Sequence, residues 1–409
     1  MQAADTVKLK RSLSLPLLTF YGVGTILGAG IYVLTGKVSG VAGMYTPLAF
    51  LLASIVAAFS ALSYAELSAR FPKSAGEAIY VKEGLGLPRL ALIVGLLIVL
   101  MGAVSTATLL HGFVGYLQVF FSVSGSIVMI LTVLTLCGIA AWGINQSMWL
   151  AAGMTVVEIF GLLLILWVGS EHLLTIPMHL DTLFLPAFDA VVWSGAILGA
   201  FIAFYAFIGF EDIVNVAEEV KQPERNLPRA IIYSLIIATV LYLLISSVSV
   251  LSMPVEQLSQ SDAPMALLYS EATGRSPIVI TFISLVSVIN GALIQMIMAS
   301  RILYGLARQG WIHHSFGRVH LRTQTPWQST GTVAILILIF ALLLPLLSLA
   351  KMTSYITLTV FALVNLSLWR VKIKQGKTKG MQVPIWIPVF GFISCFALLI
   401  FQTWHIIPE

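Results

Sequence analysis

The sequence predicts an all-α polytopic membrane protein: an inverted five-plus-five helix repeat with about 11 transmembrane helices, of which helices 1 and 6 are discontinuous. Composition is the first reason. The 409 residues are 59% hydrophobic and 10% charged, with a mean hydropathy of +0.99, whereas soluble domains carry about 25% charged residues. Second, apolar runs of bilayer-spanning length recur along the whole chain. Third, two of these runs, five spans apart, are interrupted by residues that break helices. In lipid, such breaks are tolerated only where the freed backbone lines a protein cavity.

The spans fall at roughly 15–36, 44–68, 88–119, 125–142, 147–169, 193–218, 228–252, 276–306, 328–346, 350–370 and 388–406. The opening MQAADTVKLKRSLSLPLL superficially resembles a signal peptide. Its apolar run continues too long, is broken by glycines and lacks a small-residue cleavage site, so it reads as a retained first span. Of the 22 Lys and Arg residues, all but Lys37, Arg275 and Lys351 fall in alternate loops on one side. The positive-inside rule makes that side cytoplasmic. The N-terminus is then cytoplasmic, and an odd span count places the C-terminus outside a plasma (inner) membrane crossed many times. The net charge of +5 and pI near 9.1 thus reflect orientation rather than nucleic-acid binding. Cys137 and Cys395 lie inside apolar runs and imply neither a disulfide framework nor a metal site. No cofactor is expected, and oligomeric state is left open.

Helix 1 carries GVGTILGAG (Gly22–Gly30). Each glycine costs a helix interior roughly 1 kcal/mol against alanine. A dinucleotide loop is rejected, because Gly22-x-Gly24-x-x-x-Gly28 is one residue too long and no strand precedes it. Two readings stand: close helix packing through Gly24-x-x-x-Gly28, or an unwound turn that offers successive N–H groups and a helix N-terminus to a carboxylate. The second is favoured. Helix 6 carries FIAFYAFIGFED (Phe201–Asp212), where Gly209 and two acids interrupt an aromatic run. Counting five spans from each break gives one transmembrane domain over 1–409, with repeat one at about 15–169, repeat two at about 193–370 and an extra helix at 388–406. Because five is odd, the second block is inverted relative to the first.

Four stretches carry a resemblance: SLPLLTFYGVGTILGAGIYVLTG in helix 1, ALSYAELSARFPKSAGEAIYVKEGLG (Ala61–Gly86), AFYAFIGFEDIVNVAEEVKQPERNLPRAI (Ala203–Ile231) and ASRILYGLARQGWI (Ala299–Ile312). In this order and spacing they resemble the amino acid–polyamine–organocation (APC) superfamily of transporters, in the manner of a bacterial amino acid permease. The resemblance implies the LeuT-like inverted repeat, alternating access, and amino acids or related amines as substrates. Carried over by residue, it implies that Thr25, Ile26, Gly28, Ala29 and Gly30 bind the substrate carboxylate. Phe204, Tyr205, Ala206, Phe207 and Gly209 would offer carbonyls to the α-amine, with Tyr205 as an aromatic gate. The plain alternative for these aromatics is core or lipid packing.

Five further sets of polar residues stand out. Glu158 lies well inside helix 5 with no cation nearby in sequence. At that position several superfamily members carry a lysine in place of the sodium of sodium-coupled relatives. A buried carboxyl suits a proton carrier; a structural hydrogen bond and a sodium ligand are the alternatives. Glu211 is the acid expected by resemblance and a second candidate coupling residue, while Asp212 looks like an addition; helix capping is the bland account of both. On helix 8, Ser287, Asn290 and Gln295 are polar in an apolar span, and Asn290 is expected at the back wall of the substrate site. His111, in helix 3, reads as a satisfied buried histidine. Glu66, Arg70, Glu218, Glu219, Lys221 and Arg225 match superfamily positions at the inner mouth, as loop charges or as gate salt bridges.

The expected function is secondary active transport of an amino acid by alternating access, with proton-coupled uptake preferred over exchange. Helix 3 offers no carboxylate between Val99 and Thr106, where relatives that take arginine or lysine place one, so a neutral side chain is expected. An exchanger or antiporter, or a transporter-like amino acid sensor, are the alternatives. A channel would want polar rings along a pore, and an enzyme a cluster of catalytic groups; neither pattern is visible.

Overall fold

The computed structural model describes residues 11, 13–28, 30–73, 76–142, 144–186, 188–320, 325–376 and 380–405. In chain order the helices are α1 (Leu15–Leu27), α2 (Gly30–Ala42), α3 (Thr46–Arg70), α4 (Gly76–Leu85), α5 (Pro88–Leu117), α6 (Gly125–Trp142), α7 (Ile144–Val168), α8 (Ser170–Thr175), α9 (Leu180–Phe184), α10 (Ala190–Ala203), α11 (Pro223–Ser252), α12 (Val255–Gln260), α13 (Pro264–Thr273), α14 (Ile278–Arg308), α15 (Trp327–Leu343), α16 (Leu346–Gln375) and α17 (Trp386–Trp404). Proline in the first turn starts several of them, including α1, α3, α5 and α11. There its missing N–H would have had no intrahelical partner.

A helix or a pair of half-helices stands at each expected span. Among the described residues, eight helical stretches are long and apolar enough to cross a membrane, the first of them, Leu15–Arg70, taking in α1 to α3. Gly125–Ala141 and Trp327–Leu343 are apolar but shorter. The only β contact among the described residues is a parallel bridge between Leu13 and Val220, extended by the Lys221 amide donating to the Leu13 carbonyl at 2.9 Å. It ties the N-terminal segment to the chain leaving the second broken helix.

The outer helices show why water is the wrong solvent. On α6, Ile127, Leu131 and Leu134 are all about 60% exposed, an apolar stripe at helical spacing that suits lipid. Inside, one continuous core includes Tyr32, Tyr64, Tyr80, Tyr116 and Tyr242, all fully buried. The two most extensive helix pairings join α5 to α14 and α3 to α11. Each pairs helices that the sequence reading sets five spans apart.

Helix α1 ends at Leu27, where the Gly28 amide makes a last bond to the Gly24 carbonyl at 3.2 Å, and α2 begins at Gly30. Ala29, between them, lies outside the described residues. In the other broken helix, α10 tightens into a 3-10 turn at Phe204–Phe207, extends at Ile208, turns at Gly209 and resumes as 3-10 helix over Phe210–Glu219. Gly209 has φ +132, a conformation open to glycine and strained for other residues.

Candidate functional site

The two breaks face each other. The Thr25 hydroxyl of α1 lies 2.9 Å from both its own Gly22 carbonyl and the Gly209 carbonyl of the second break. The Tyr242 hydroxyl of α11 sits between the Ile26 carbonyl, at 2.6 Å, and the Ala206 carbonyl, at 2.9 Å. One phenol therefore spans the carbonyls that the two interruptions leave without helical partners. Gly30 has no room for a side chain, since any Cβ would collide with the Ala206 backbone.

Between the breaks lies a cavity of about 20 Å³, lined by Thr25, Ile26 and Gly30 from the first, Tyr205 and Ile208 from the second, Ser105 and Leu109 from α5, and Gly291 and Gln295 from α14. That volume holds about one water, so an amino acid enters only when the walls move apart. The Tyr205 hydroxyl is 3.0 Å from the Ser105 hydroxyl. This hydrogen bond ties the candidate gate to α5.

The structure sorts the expected site residues. Thr25, Ile26, Gly30 and Tyr205 line the cavity. Gly28 is one step behind, its carbonyl accepting the Ser287 hydroxyl at 2.8 Å. Ala206 and Gly209 shape the second break from behind. Phe204 and Phe207 point elsewhere, packing on Phe361 and Tyr242 with ring centroids 5.8 and 5.1 Å apart. Asn290, expected at the back wall of the substrate site, does not line the cavity. Its Nδ2 donates to Glu158 Oε1 at 2.9 Å.

Glu158 is fully buried. Its backbone carbonyl accepts the Tyr32 hydroxyl at 2.7 Å, and among the described residues its Oε2 has no hydrogen-bond partner and no Lys, Arg or His pairs with it. Through Asn290 and Ser287, α14 links this carboxyl to the first break. A proton on Oε2 would neutralise the group without disturbing the Asn290 bond.

Glu211 behaves first as a cap: Gly209 N–H donates to its Oε2 at 2.8 Å, satisfying an amide freed by the break. Its other oxygen has no partner among the described residues. Asp212 Oδ2 accepts Gln295 Nε2 at 3.3 Å. At the end of the bundle that carries the basic loops, buried Glu66 binds Arg70 at 2.6 Å, Lys372 at 2.6 Å and the Val383 amide at 2.8 Å, joining α3 to α16 and to the segment before α17. The side chains of Glu218 and Glu219 lie outside the described residues. At the opposite end, Lys37 pairs with Asp262 at 3.1 Å. His111 Nε2 is 3.0 Å from the Ala341 and Leu344 carbonyls, a satisfied histidine joining α5 to the end of α15.

Sequence reasoning did not find Tyr242 or the cavity face of α5. Ser105 and Leu109, like Gly291 and Gln295 on α14, are four residues apart and so share a helix face. That spacing was readable, but nothing in either helix says which of its faces meets the breaks.

The profile of the amino acid permease family matches residues 13–409. The chain is 28% identical to the branched-chain amino acid permease BcaP of Bacillus subtilis (strain 168), over 97% of this chain and 89% of that protein. It is 30% identical to the mitochondrial cationic amino acid transporter 3 of Arabidopsis thaliana, over 89% of this chain and 63% of that longer protein. It is also 27% identical to the methylthioribose transporter of Bacillus subtilis (strain 168), over 94% of this chain and 86% of that protein.

Proposed function

Because the chain belongs to the amino acid permease family of the APC superfamily, we propose that it is a secondary active transporter that takes up a neutral amino acid with protons by alternating access. The observation that carries this is the meeting of the two breaks on one cavity. Freed amides and a helix N-terminus at the first break suit a carboxylate, and freed carbonyls at the second suit an ammonium. Tyr205, hydrogen-bonded to Ser105, gates the site.

The pairing of α3 with α11 and of α5 with α14 supports an inverted five-plus-five repeat, with eleven spans in one domain. The basic loops support a cytoplasmic placement of that side, in a plasma membrane. The Glu66–Arg70–Lys372 network and the Lys37–Asp262 pair then close opposite ends of the pathway.

Glu158 is the proposed proton carrier. Its carboxyl touches α14 through Asn290 and reaches the first break through that helix, so its charge biases whether the break opens. A one-unit pKa difference between outward and inward states corresponds to about 1.4 kcal/mol, a tenfold bias.

In proteoliposomes, an inward proton gradient without sodium should drive accumulation of a radiolabelled neutral amino acid. E158Q should lose that accumulation and keep exchange. Strict sodium dependence, or unchanged proton-driven accumulation in E158Q, rules the assignment out.

A cationic substrate is the second reading, favoured by one observation: Glu211 and Asp212 stand immediately behind the second break. Stronger competition by arginine or lysine than by alanine, serine, leucine or phenylalanine would select it.

A further inference from the structure

A second, smaller cavity of about 10 Å³ shares no lining residue with the first. Its walls include Tyr64 of α3, Glu77 of α4, Ile98 and Met101 of α5, Glu211 and Phe361. Glu77, Glu211 and Asp212 are at most 2% exposed, and among the described residues none of the three pairs with a Lys, Arg or His. Among the described residues, three atoms at this cavity find no hydrogen-bond partner: Glu77 Oε1, Glu211 Oε1 and the hydroxyl of fully buried Tyr64.

In this closed form the room fits about one water, so a guanidinium or an amino acid side chain would enter only if the walls moved apart. Among the described residues no three acids, histidines or cysteines are placed to hold a metal ion. Neighbouring buried carboxylates without a counter-charge do not all ionise. The titratable groups around Glu77 are Tyr80 of its own helix, Tyr64 of α3 and the acids of the second break, while α5 and α16 contribute only apolar and hydroxyl side chains. Burial, reinforced by the neighbouring Glu211 charge, pushes the Glu77 carboxyl up to about 8.

The cluster is wired to the substrate cavity in two ways. Gln295 lines that cavity and donates to Asp212. Gly209, whose amide donates to Glu211, has its carbonyl on Thr25, another lining residue.

We propose that Glu77, Glu211 and Asp212, with Tyr64, form a second proton-holding site, separate from Glu158 and linked to the substrate cavity through Gln295 and the Gly209 turn. The step it performs is proton exchange alone: a carboxylic O–H breaks, the proton leaves to water at the basic end of the bundle, and the carboxylate takes one back from water. No other bond changes. A proton held here keeps Glu211 and Asp212 compatible with the capped, closed form of the second break. The coupling role rests on the transport reading; the existence of the proton site does not.

Infrared titration of the purified full chain between about pH 6 and pH 9 tests this without transport. The wild type should lose a protonated-carboxyl carbonyl band as pH rises through about 8. E77Q should lack that band, D212N should move its midpoint by a pH unit or more, a tenfold change in proton affinity, and E158Q should keep it. A wild type without such a band, or an E77Q spectrum that titrates like wild type, overturns the proposal. Displacement of the band by added lysine or arginine, but not by neutral amino acids, would also overturn it, by making the cluster a substrate subsite. If the band behaves as expected while no amino acid is exchanged, the transport reading fails and the proton site stands.

Discussion

The two broken helices reach the same cavity by different backbone chemistry. In the first, Gly28 keeps helical angles, with φ −44 and ψ −27, and its carbonyl is caught by Ser287 of α14. On either side of that interruption, small residues let the chain press close: a Cβ at Gly28 would meet Gly291 of α14, and one at Gly30 would meet Ala206 of the second break. In the second, Gly209 sits at φ +132 between extended Ile208 and a 3-10 helix, and its amide is capped by Glu211. The interruption there is a true change of direction. The glycines described in the first motif thus serve close approach, and the lone Gly209 serves a turn of the backbone.

That contrast ranks the substitutions. G209A should do the most damage, because alanine is strained at this φ, by about 1–2 kcal/mol, and its Cβ would lie 2.6 Å from the Thr25 carbonyl. Counterflow should fall at least tenfold, with a lower melting temperature. G30A comes next: its backbone angles allow alanine, but contact with Ala206 does not, so substrate binding should be lost while the protein still inserts. G28A should be mildest, since its Cβ would meet the Gly24 carbonyl at 3.1 Å and the Gly291 Cα at 3.3 Å, which small shifts relieve. Equal losses in G28A and G209A, measured by counterflow and by yield of monodisperse protein, would break the comparison.

A smaller effect sharpens the role of Glu211 as the cap of the second break. Its neighbour Glu77 has a folded pKa raised from 4.5 to about 8. A raised carboxyl contributes stability that is full below about 4.5 and is lost as pH rises through about 8, at no more than about 1.4 kcal/mol per pH unit. Melting in detergent should therefore fall for wild type between about pH 5 and 9, and E77Q should lack that part of the fall. Parallel melting curves for the two proteins would contradict it.

Much of this fold was legible in the sequence, because bilayer-length apolar runs are a one-dimensional signal and each expected span has its helix. The first break was legible from glycine density, and the second from Gly209 followed by two acids. The cavity wall was less so. Phe204, Tyr205 and Phe207 looked alike in an aromatic run, but a four-residue 3-10 turn aims only Tyr205 at the cavity. Asn290 was polar in an apolar helix, and sequence could not say whether it faced the substrate or Glu158. Tyr242 gave no local signal at all. Its role depends on two carbonyls, 216 and 36 residues away, that meet only in the folded bundle. Glu77 lay in a segment read for its superfamily pattern, where nothing announces that a loop helix folds back to bury an acid beside Glu211.

The central claim is that backbone at the two breaks holds the carboxylate and the amine of one amino acid. Competition in proteoliposome counterflow tests it with no substitution at all. A transported amino acid should compete with its own labelled form, while its methyl ester and its des-amino analogue should each compete at least tenfold more weakly. If either analogue competes as well as the amino acid itself, the breaks do not bind both groups and the account fails.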